Sequence, residues 1–591
     1  MCGFVGYIDG GETQLMEPVL HAMADRIRHR GPDDADYYMD GEISLGFRRL
    51  SIIDLEGGRQ PILNEDKSKV LMFNGEIYNY QSLREDLLKA GHVFTTKTDS
   101  EVLLHGFEEY GTDLLNKLRG MFAFIIWDKN TKTLFGARDY FGIKPFYYAK
   151  MQGTLMFGSE IKSFVEHPHF KRELNERALE GYLSFQYSPG YETFFKNVYK
   201  LPPAHYFFYK DGKMDMQRYW IPEFNAEEDK PLEYWVDEIE KTFDDSVNAH
   251  KIADVEVGSF LSSGVDSSYV ACSADVDKTF TVGFDNGEKY NEISYAKELS
   301  ELIPVKNYSK TITPEEFWGN FGKIQYHMDE PLADPSAVAL YFVCNTASKY
   351  LKVVMSGEGA DEIFGGYPWF YRPELMNRDG FPWSADPAAR TSILSDDVLR
   401  TLDLAEYSHA RYEETLSHVP HLDGESPEEA RRRDIGYLNI KWFMQTLLDR
   451  MDRTSMYSSL EARVPFADHR IMEYVFNVPW QMKYRNGVEK SLLRDACADL
   501  LPRELLWRKK SPYPKTYHPA YEQMLIRRMR EILNDPNSPV LPLLDRSKTE
   551  AFLAAPKELG KPWFGQLMAG PQLIAYFIQI NTWMQIYHLS I

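Results

Sequence analysis

A strand begins almost at the first residue of this chain. GFVGYI, residues 3–8, reads as a buried strand of closely packed small and apolar residues, and its N-terminal end carries Cys2. A terminus tied into a sheet is held in place, whereas most termini fray. Once the initiator Met1 is removed, Cys2 carries a thiol and a free α-amine together. Such an amine titrates at roughly 7.7–8.0, so near neutral pH a good share of it is unprotonated and can act as the thiol's own base. Nucleophile and base would then share one residue.

At 591 residues the chain is too long for one core and divides into two or three domains. A net charge of −21 argues against nucleic acid or an anionic membrane surface as the main partner. The four cysteines, at 2, 272, 344 and 497, have neither zinc-site nor disulfide spacing. With no signal peptide and no run of about 18 apolar residues, a cytoplasmic setting is expected.

Met16, Val19, Leu20, Met23 and Ile27 recur at helical spacing until Gly31-Pro32 breaks the pattern. The strand-like pieces SLGFRRLSII, VLMFNGEIY, MFAFIIW, TLFGARD, PFYYA and TLMFGS follow, with a helix near 80–90, and suggest packed sheets flanked by helices. Among them lie the groups needed to hydrolyse a glutamine amide. Attack by Cys2 creates an oxyanion, and Asn74-Gly75 offers a side-chain amide beside an unshielded backbone N–H. Arg49 can grip glutamine's α-carboxylate with two parallel hydrogen bonds, while Glu76 and Asp99 can hold its ammonium. Read alone, Arg49 and Asp99 also fit a surface charge and a loop cap.

MCGFVGYI, RHRGPD, RRLSIID, FNGEIYNY, TDSEVLL, LRGMFAFIIWD and ARDYFGIKPFYY, in that order, resemble the class II glutamine amidotransferases. The resemblance covers residues 2 to about 200 and implies an N-terminal-nucleophile fold, two stacked sheets between outer helices (αββα). It also implies Cys2 as nucleophile and amine base, Asn74 and Gly75 as oxyanion donors, and Arg49, Glu76 and Asp99 as glutamine ligands.

LPPAHYFFYKDGKMDMQRYW reads as an edge strand pair and the polar stretch 222–231 as a linker. The expected division is 1–205, a linker at 206–230, and 231–591. In VEVGSFLSSGVDSSYVACSA, a strand (Val255 to Leu261), a tight turn (Ser262 to Asp266) and a helix aim backbone N–H groups at one spot, which suits phosphate; an ordinary helix cap is the bland alternative. The turn lacks the Lys of a Walker loop and resembles the pyrophosphate loop of the ATP pyrophosphatases, with Ser263 where a glycine is usual. KTFTVGF (278–284) and LKVVMSGEGADEIFGGY (351–367) add strands of a parallel α/β sheet, whose ligand belongs at the strands' carboxyl ends. Carboxylates beside a triphosphate need a cation, so Asp266 and Asp361 are candidates for holding Mg2+, with helix capping as the alternative.

SGEGADEIFGGY, LSSGVDSS, SSLEARVPFADHRIMEY and NGVEKSLLRDA are similar to the glutamine-dependent asparagine synthetase family, over nearly the whole chain. That resemblance implies glutamine, aspartate and ATP as substrates and an acyl-adenylate intermediate attacked by ammonia. By motif position, Leu261, Val282 and Gly357 line the adenine and ribose site, and Ser356 belongs to the same ATP and pyrophosphate site. Ser262, Gly264, Asp266 and Ser267 hold pyrophosphate, Lys490 neutralises it, and Glu358 is the base. Lys490 alone also fits a solvated helix lysine. Asp334 is a candidate substrate contact, and the basic segment 507–519 is either a loop over the ATP site or a solvated charge run. PQLIAYFIQINTWMQIYHL has an apolar face to dock on the core or on a second copy in a homodimer. The closest rival is amidation of another carboxylate by the same chemistry; a non-catalytic sensor and a phosphoribosyl-type amidotransferase stand further off.

Overall fold

The computed structural model describes residues 2–9, 17–185, 187, 190–225, 230–262, 264–284, 292–303, 305–331, 336–384, 387–508, 519–554 and 570–589. The first half is built on alternation. In β1 (Gly3–Ile8) Phe4 faces one core while Val5 and Tyr7 face another; in β5 (Lys69–Ile77) Val70 and Met72 part from Leu71 and Phe73 in the same way. Period-2 side chains that are apolar on both faces require a layer on each side.

Two six-stranded sheets meet those demands. One runs β10 (Val198–Lys200), β8 (Tyr147–Met151), β9 (Thr154–Gly158), β1, β3 (Ile43–Arg49) and β2 (Asp34–Met39). The other runs β12 (Lys213–Arg218), β11 (His205–Lys210), β7 (Thr133–Arg138), β6 (Gly120–Asp128), β5 and β4 (Ile62–Leu63). Phe4, Leu45, Val70, Met72, Ile125 and Phe207 form the core between them. Outside, α1 (Glu17–Arg26) covers the first sheet, and α2 (Tyr80–Ala90) and α3 (Asp99–Tyr110) cover the second. This is the αββα order expected. The glycines of β1 are small for a reason: a Cβ on Gly6 would fall 2.6 Å from the Phe157 ring. The linker expected over 206–230 needs correcting, because β11 pairs with β7 and carries β12 with it, so residues 206–218 belong to the second sheet.

The second half holds a parallel sheet in the order β15 (Lys306–Ile312), β14 (Lys278–Phe284), β13 (Val257–Phe260), β16 (Val353–Met355) and β17 (Glu461–Arg463). The chain leaves β13 toward β14, then returns to place β16 on its other side. That reversal opens a crevice at the carboxyl ends of β13 and β16, where doubly wound sheets bind ligands. The C-terminal helix Gly570–Tyr587 docks on the chain's own core, with Trp583 Nε1 donating to the Asp329 carbonyl at 2.7 Å. Its apolar face is therefore used within the chain. Among the described residues no helix is long and apolar enough to cross a membrane.

The halves meet through buried charge. Arg30, fully buried, donates to Glu160 at 2.8 Å and to both oxygens of Asp452 at 2.8 and 3.1 Å. Removing one partner of such a network strands a buried charge, at about 3–5 kcal/mol.

Candidate active sites

Register carries the first site. Residues 70, 72, 74 and 76 share the inter-sheet face of β5, which brings Asn74 and Glu76 to the end of the layer where β1 starts. Cys2 is half-buried there. Its backbone N–H donates to Asn74 Oδ1 at 3.1 Å, its Sγ lies 3.9 Å from the Leu50 carbonyl, and Arg30 Nε donates to its carbonyl at 3.1 Å. Burial pushes the Cys2 thiol up, which strengthens its need for a nearby base. With Oδ1 spent on Cys2, Asn74 Nδ2 is buried and meets no acceptor among the described residues. A stranded buried donor costs about 1–3 kcal/mol, and it is what a preorganised oxyanion site contains before the anion forms. Beside it, Gly75 tolerates no side chain, since a Cβ would fall 2.0 Å from the Met121 carbonyl oxygen.

Arg49, at the end of β3, is buried and its fork is already engaged. Nη1 donates to the Leu55 carbonyl at 3.1 Å, and Nη2 to those of Asp54 and Ile53 at 2.7 and 3.4 Å. The parallel grip expected on a carboxylate is therefore not preformed; a carboxylate has to share or displace these carbonyls. Glu76 and Asp99 are both buried. Burial, reinforced by the charges of Glu461 and Asp99, pushes Glu76 far above the carboxylate range, and burial lifts Asp99 to about 6. Asp99 takes the Ile77 N–H at 2.9 Å at the head of α3. Crowded carboxylates in low dielectric call for a cation, and an ammonium fits that need.

The second site forms at the sheet's switch point. After β13, Leu261 is pinned by its N–H on the Phe280 carbonyl at 2.9 Å. Ser262 N–H donates to Ser267 Oγ at 3.1 Å, the two hydroxyls lie 2.9 Å apart, and Gly264 N–H reaches Ser262 Oγ at 3.4 Å. The turn thus folds onto the start of the helix Val265–Ala274, two residues earlier than the sequence reading begins it. Gly357, after β16, crosses that helix start so closely that a Cβ would sit 2.8 Å from Ser267 N, and Ser356 is buried beside it. Val282 lies near the carboxyl end of β14.

Lys490 is buried at φ 53°, just before the helix Ser491–Ala496, which removes the solvated-lysine alternative. Its Nζ donates to Asp266 Oδ1 and Oδ2 at 2.6 and 2.8 Å and lies 2.8 Å from Asp361 Oδ1. The two carboxylates expected to hold a metal therefore converge on one ammonium. Glu358 Oε1 accepts from Arg450 Nη2 at 2.8 Å. Next to Asp361, burial and that neighbour's charge raise Glu362 to about 7, and Tyr367 donates to it. Ser263, Asp334 and residues 509–518 lie outside the described residues.

Residues 238–585 match the family described as asparagine synthase, and residues 1–220 the glutamine amidotransferase domain. The chain belongs to the asparagine synthase family. It is 38% identical to the glutamine-hydrolyzing asparagine synthetase 3 of Bacillus subtilis, with all of both chains covered. Identity to the glutamine-hydrolyzing asparagine synthetase 1 of that organism is 37%, over 94% of this chain and 91% of the relative. A Penicillium rubens protein, amidase chyE, is 28% identical over 91% of each.

In this asparagine synthase family member the two sites are joined by residues that sequence reasoning passed over. Arg463, on β17, donates to Glu461 at 2.6 Å and to the carbonyls of His250 and Ile252 at 2.6 and 2.7 Å. Its Nη2 lies 3.7 Å from Glu76, while its own carbonyl takes the Ser356 N–H at 2.8 Å. The helix Gln445–Tyr457 makes a second tie, with Arg450 on Glu358 and Asp452 on Arg30, which holds the Cys2 carbonyl. Arg463 stood in a motif, SSLEARVPFADHR, that carried a family likeness but no role. Arg450 had no signal, because its partner is 92 residues away.

Proposed function

We propose that this chain makes asparagine from aspartate, with ATP as activator and glutamine as nitrogen donor, in two units divided after residue 218. The observation that carries the reading is the pairing, within one chain, of Cys2 beside the stranded amide of Asn74 with Lys490 clasped by Asp266 and Asp361 at the parallel sheet's switch point. Relatives of matching length named as glutamine-hydrolyzing asparagine synthetases support it.

With Met1 gone, the α-amine of Cys2 takes the thiol proton and Sγ attacks the glutamine amide carbon. Asn74 Nδ2 and the Gly75 N–H receive the oxyanion. The Cys2 α-ammonium then gives its proton to the amide nitrogen as the C–N bond breaks, ammonia leaves, and water releases glutamate from the thioester. Arg49 holds the substrate's carboxylate, and Glu76 and Asp99 its ammonium. At the second site an oxygen of aspartate's side-chain carboxylate attacks the α-phosphorus of ATP, and pyrophosphate departs. Ser262, Gly264, Asp266 and Ser267 form its cradle and Lys490 balances its charge, while Leu261, Val282 and Gly357 line the adenosine and Ser356 belongs to the same ATP and pyrophosphate site. Asp266 and Asp361 are hard oxygen donors that suit Mg2+, which when bound offsets charge on the phosphates. Ammonia then attacks the acyl carbon of the adenylate, Glu358 accepts its proton, and AMP leaves. Ammonia is mostly protonated and inert in neutral water, so it has to travel by a shielded path.

In a mixture of aspartate, ATP, Mg2+ and glutamine, asparagine, AMP and glutamate should rise in equal amounts. AMP formed with another acid and no asparagine would favour the rival acceptor.

Asp99 sets a pH dependence. It must be ionised to hold an ammonium, and burial has raised it to about 6. In the free enzyme kcat/KM for glutamine should therefore fall as pH drops through 6. For folding the sign is opposite: a carboxyl whose pKa is raised contributes stability at low pH that is lost as pH rises through 6. Glutaminase kcat/KM against pH checks this: protonation of the Cys2 amine already lowers it below about pH 8, and Asp99→Asn should be weak and keep only that fall, without the further one at 6. An unchanged profile in the variant would assign the titration elsewhere.

A further inference from the structure

Two histidines and two glutamates converge on the helical layer covering the second sheet, apart from every residue used above except through α3. Glu65 comes from the β4–β5 connection, His92 from just past α2, and His105 and Glu108 from one face of α3 at i and i+3. One ligand atom from each lies within 4.8 Å of the other three. His105 Nδ1 is 3.2 Å from Glu108 Oε2 and 3.5 Å from Glu65 Oε2, and His92 Nδ1 is 3.4 Å from Glu65 Oε1. Zinc holds nitrogen and carboxylate oxygen at about 2.0–2.2 Å, which sets neighbouring ligands of a tetrahedron about 3.4 Å apart. Three of the six ligand pairs lie near that edge, Glu65 offering Oε2 to His105 and Oε1 to His92, and the set as a whole spans at most 4.8 Å, so a bound ion would draw it in slightly.

Outer-shell carboxylates stand near both imidazoles, just beyond hydrogen-bond length from His105. A metal-bound imidazole turns its other nitrogen to a carboxylate or carbonyl. His105 Nε2 faces Glu101 Oε1 at 3.6 Å, and His92 Nε2 faces Glu109 Oε2 at 3.5 Å. Glu101 is fixed by the N–H and hydroxyl groups of Thr95 and Thr96 at 2.7–2.9 Å. Asn64 Nδ2 donates to Glu108 Oε1 at 2.6 Å, which leaves Oε2 toward His105.

We propose that Glu65, His92, His105 and Glu108 form a structural site for a divalent cation of the zinc class. Two imidazoles and two carboxylates favour Zn2+ over the all-oxygen preference of Mg2+ or Ca2+. The ion would tie the β4–β5 connection and the end of α2 to α3, the helix whose first residue is Asp99.

The test uses the untagged full-length chain carrying Cys2→Ala, so that the reactive thiol contributes no ligand, stripped with chelator and titrated with Zn2+. One tight equivalent is expected, with cobalt(II) giving the intense visible bands of a tetrahedral site. His105→Ala and His92→Ala should each weaken binding about 100-fold or more, and Glu101→Gln about 10-fold. His92 is only partly buried whereas His105 is fully buried, so His92→Ala keeps the test open if His105→Ala fails to fold. No zinc bound by the parent, or unchanged affinity in His92→Ala, would overturn the proposal and leave the cluster an ion-pair network.

Discussion

Cys2→Ala is expected to lower glutamine-dependent asparagine formation on the order of 10³-fold or more, while ammonium-dependent formation stays within about twofold. Among the described residues the thiol's one hydrogen-bond contact is the Leu50 carbonyl at 3.9 Å, so its loss costs the fold little. The ammonium-driven reaction needs only the second site. A chain retaining Met1 should show the same split, because its Cys2 nitrogen is an amide and cannot take the thiol proton. Assays with each nitrogen donor in parallel decide the matter; equal loss with both would mean that the sites do not work separately.

Lys490→Met is expected to produce the mirror image. The ammonium sits between Asp266 and Asp361 in a place where water barely reaches. Removing it takes away the charge that meets departing pyrophosphate, and aspartate-dependent exchange of pyrophosphate into ATP should fall about 10²- to 10³-fold. Two carboxylates left facing each other should also destabilise the second half, by about 3 kcal/mol. Glutamine hydrolysis at Cys2 should persist. Lys490→Arg keeps the charge and should retain more exchange than Lys490→Met; equal loss in both would point to packing.

Local pattern made much of this protein legible in its sequence. KTFTVGF is β14 to the residue, because its β-branched and aromatic side chains fit a pleated parallel strand. Asn74-Gly75 was readable because an amide donor and a bare N–H in succession mean something chemically. DADYYM (β2) and KNYSKTI (β15) escaped notice because they are edge strands, with few apolar side chains to mark them. The three-residue β17 was too short to carry a period. Arg463, Arg450 and the far end of the Arg30 network escaped for another reason. A side chain that bridges elements far apart in the chain, 92 residues for Arg450 and Glu358 and 422 for Arg30 and Asp452, leaves no local trace, and these are the groups that join the two sites. Arg49 shows the converse limit: its residue type suits a carboxylate, but only the fold reveals that its fork already holds three carbonyls.

The most direct test is to supply amide-15N glutamine together with aspartate, ATP, Mg2+ and an excess of unlabelled ammonium at neutral pH, and to read the product by mass spectrometry. Nitrogen released at Cys2 and passed inside the protein should give asparagine enriched in 15N well above the bulk ammonium pool, with one AMP per asparagine. Asparagine carrying only the bulk nitrogen, or no asparagine at all, would contradict it.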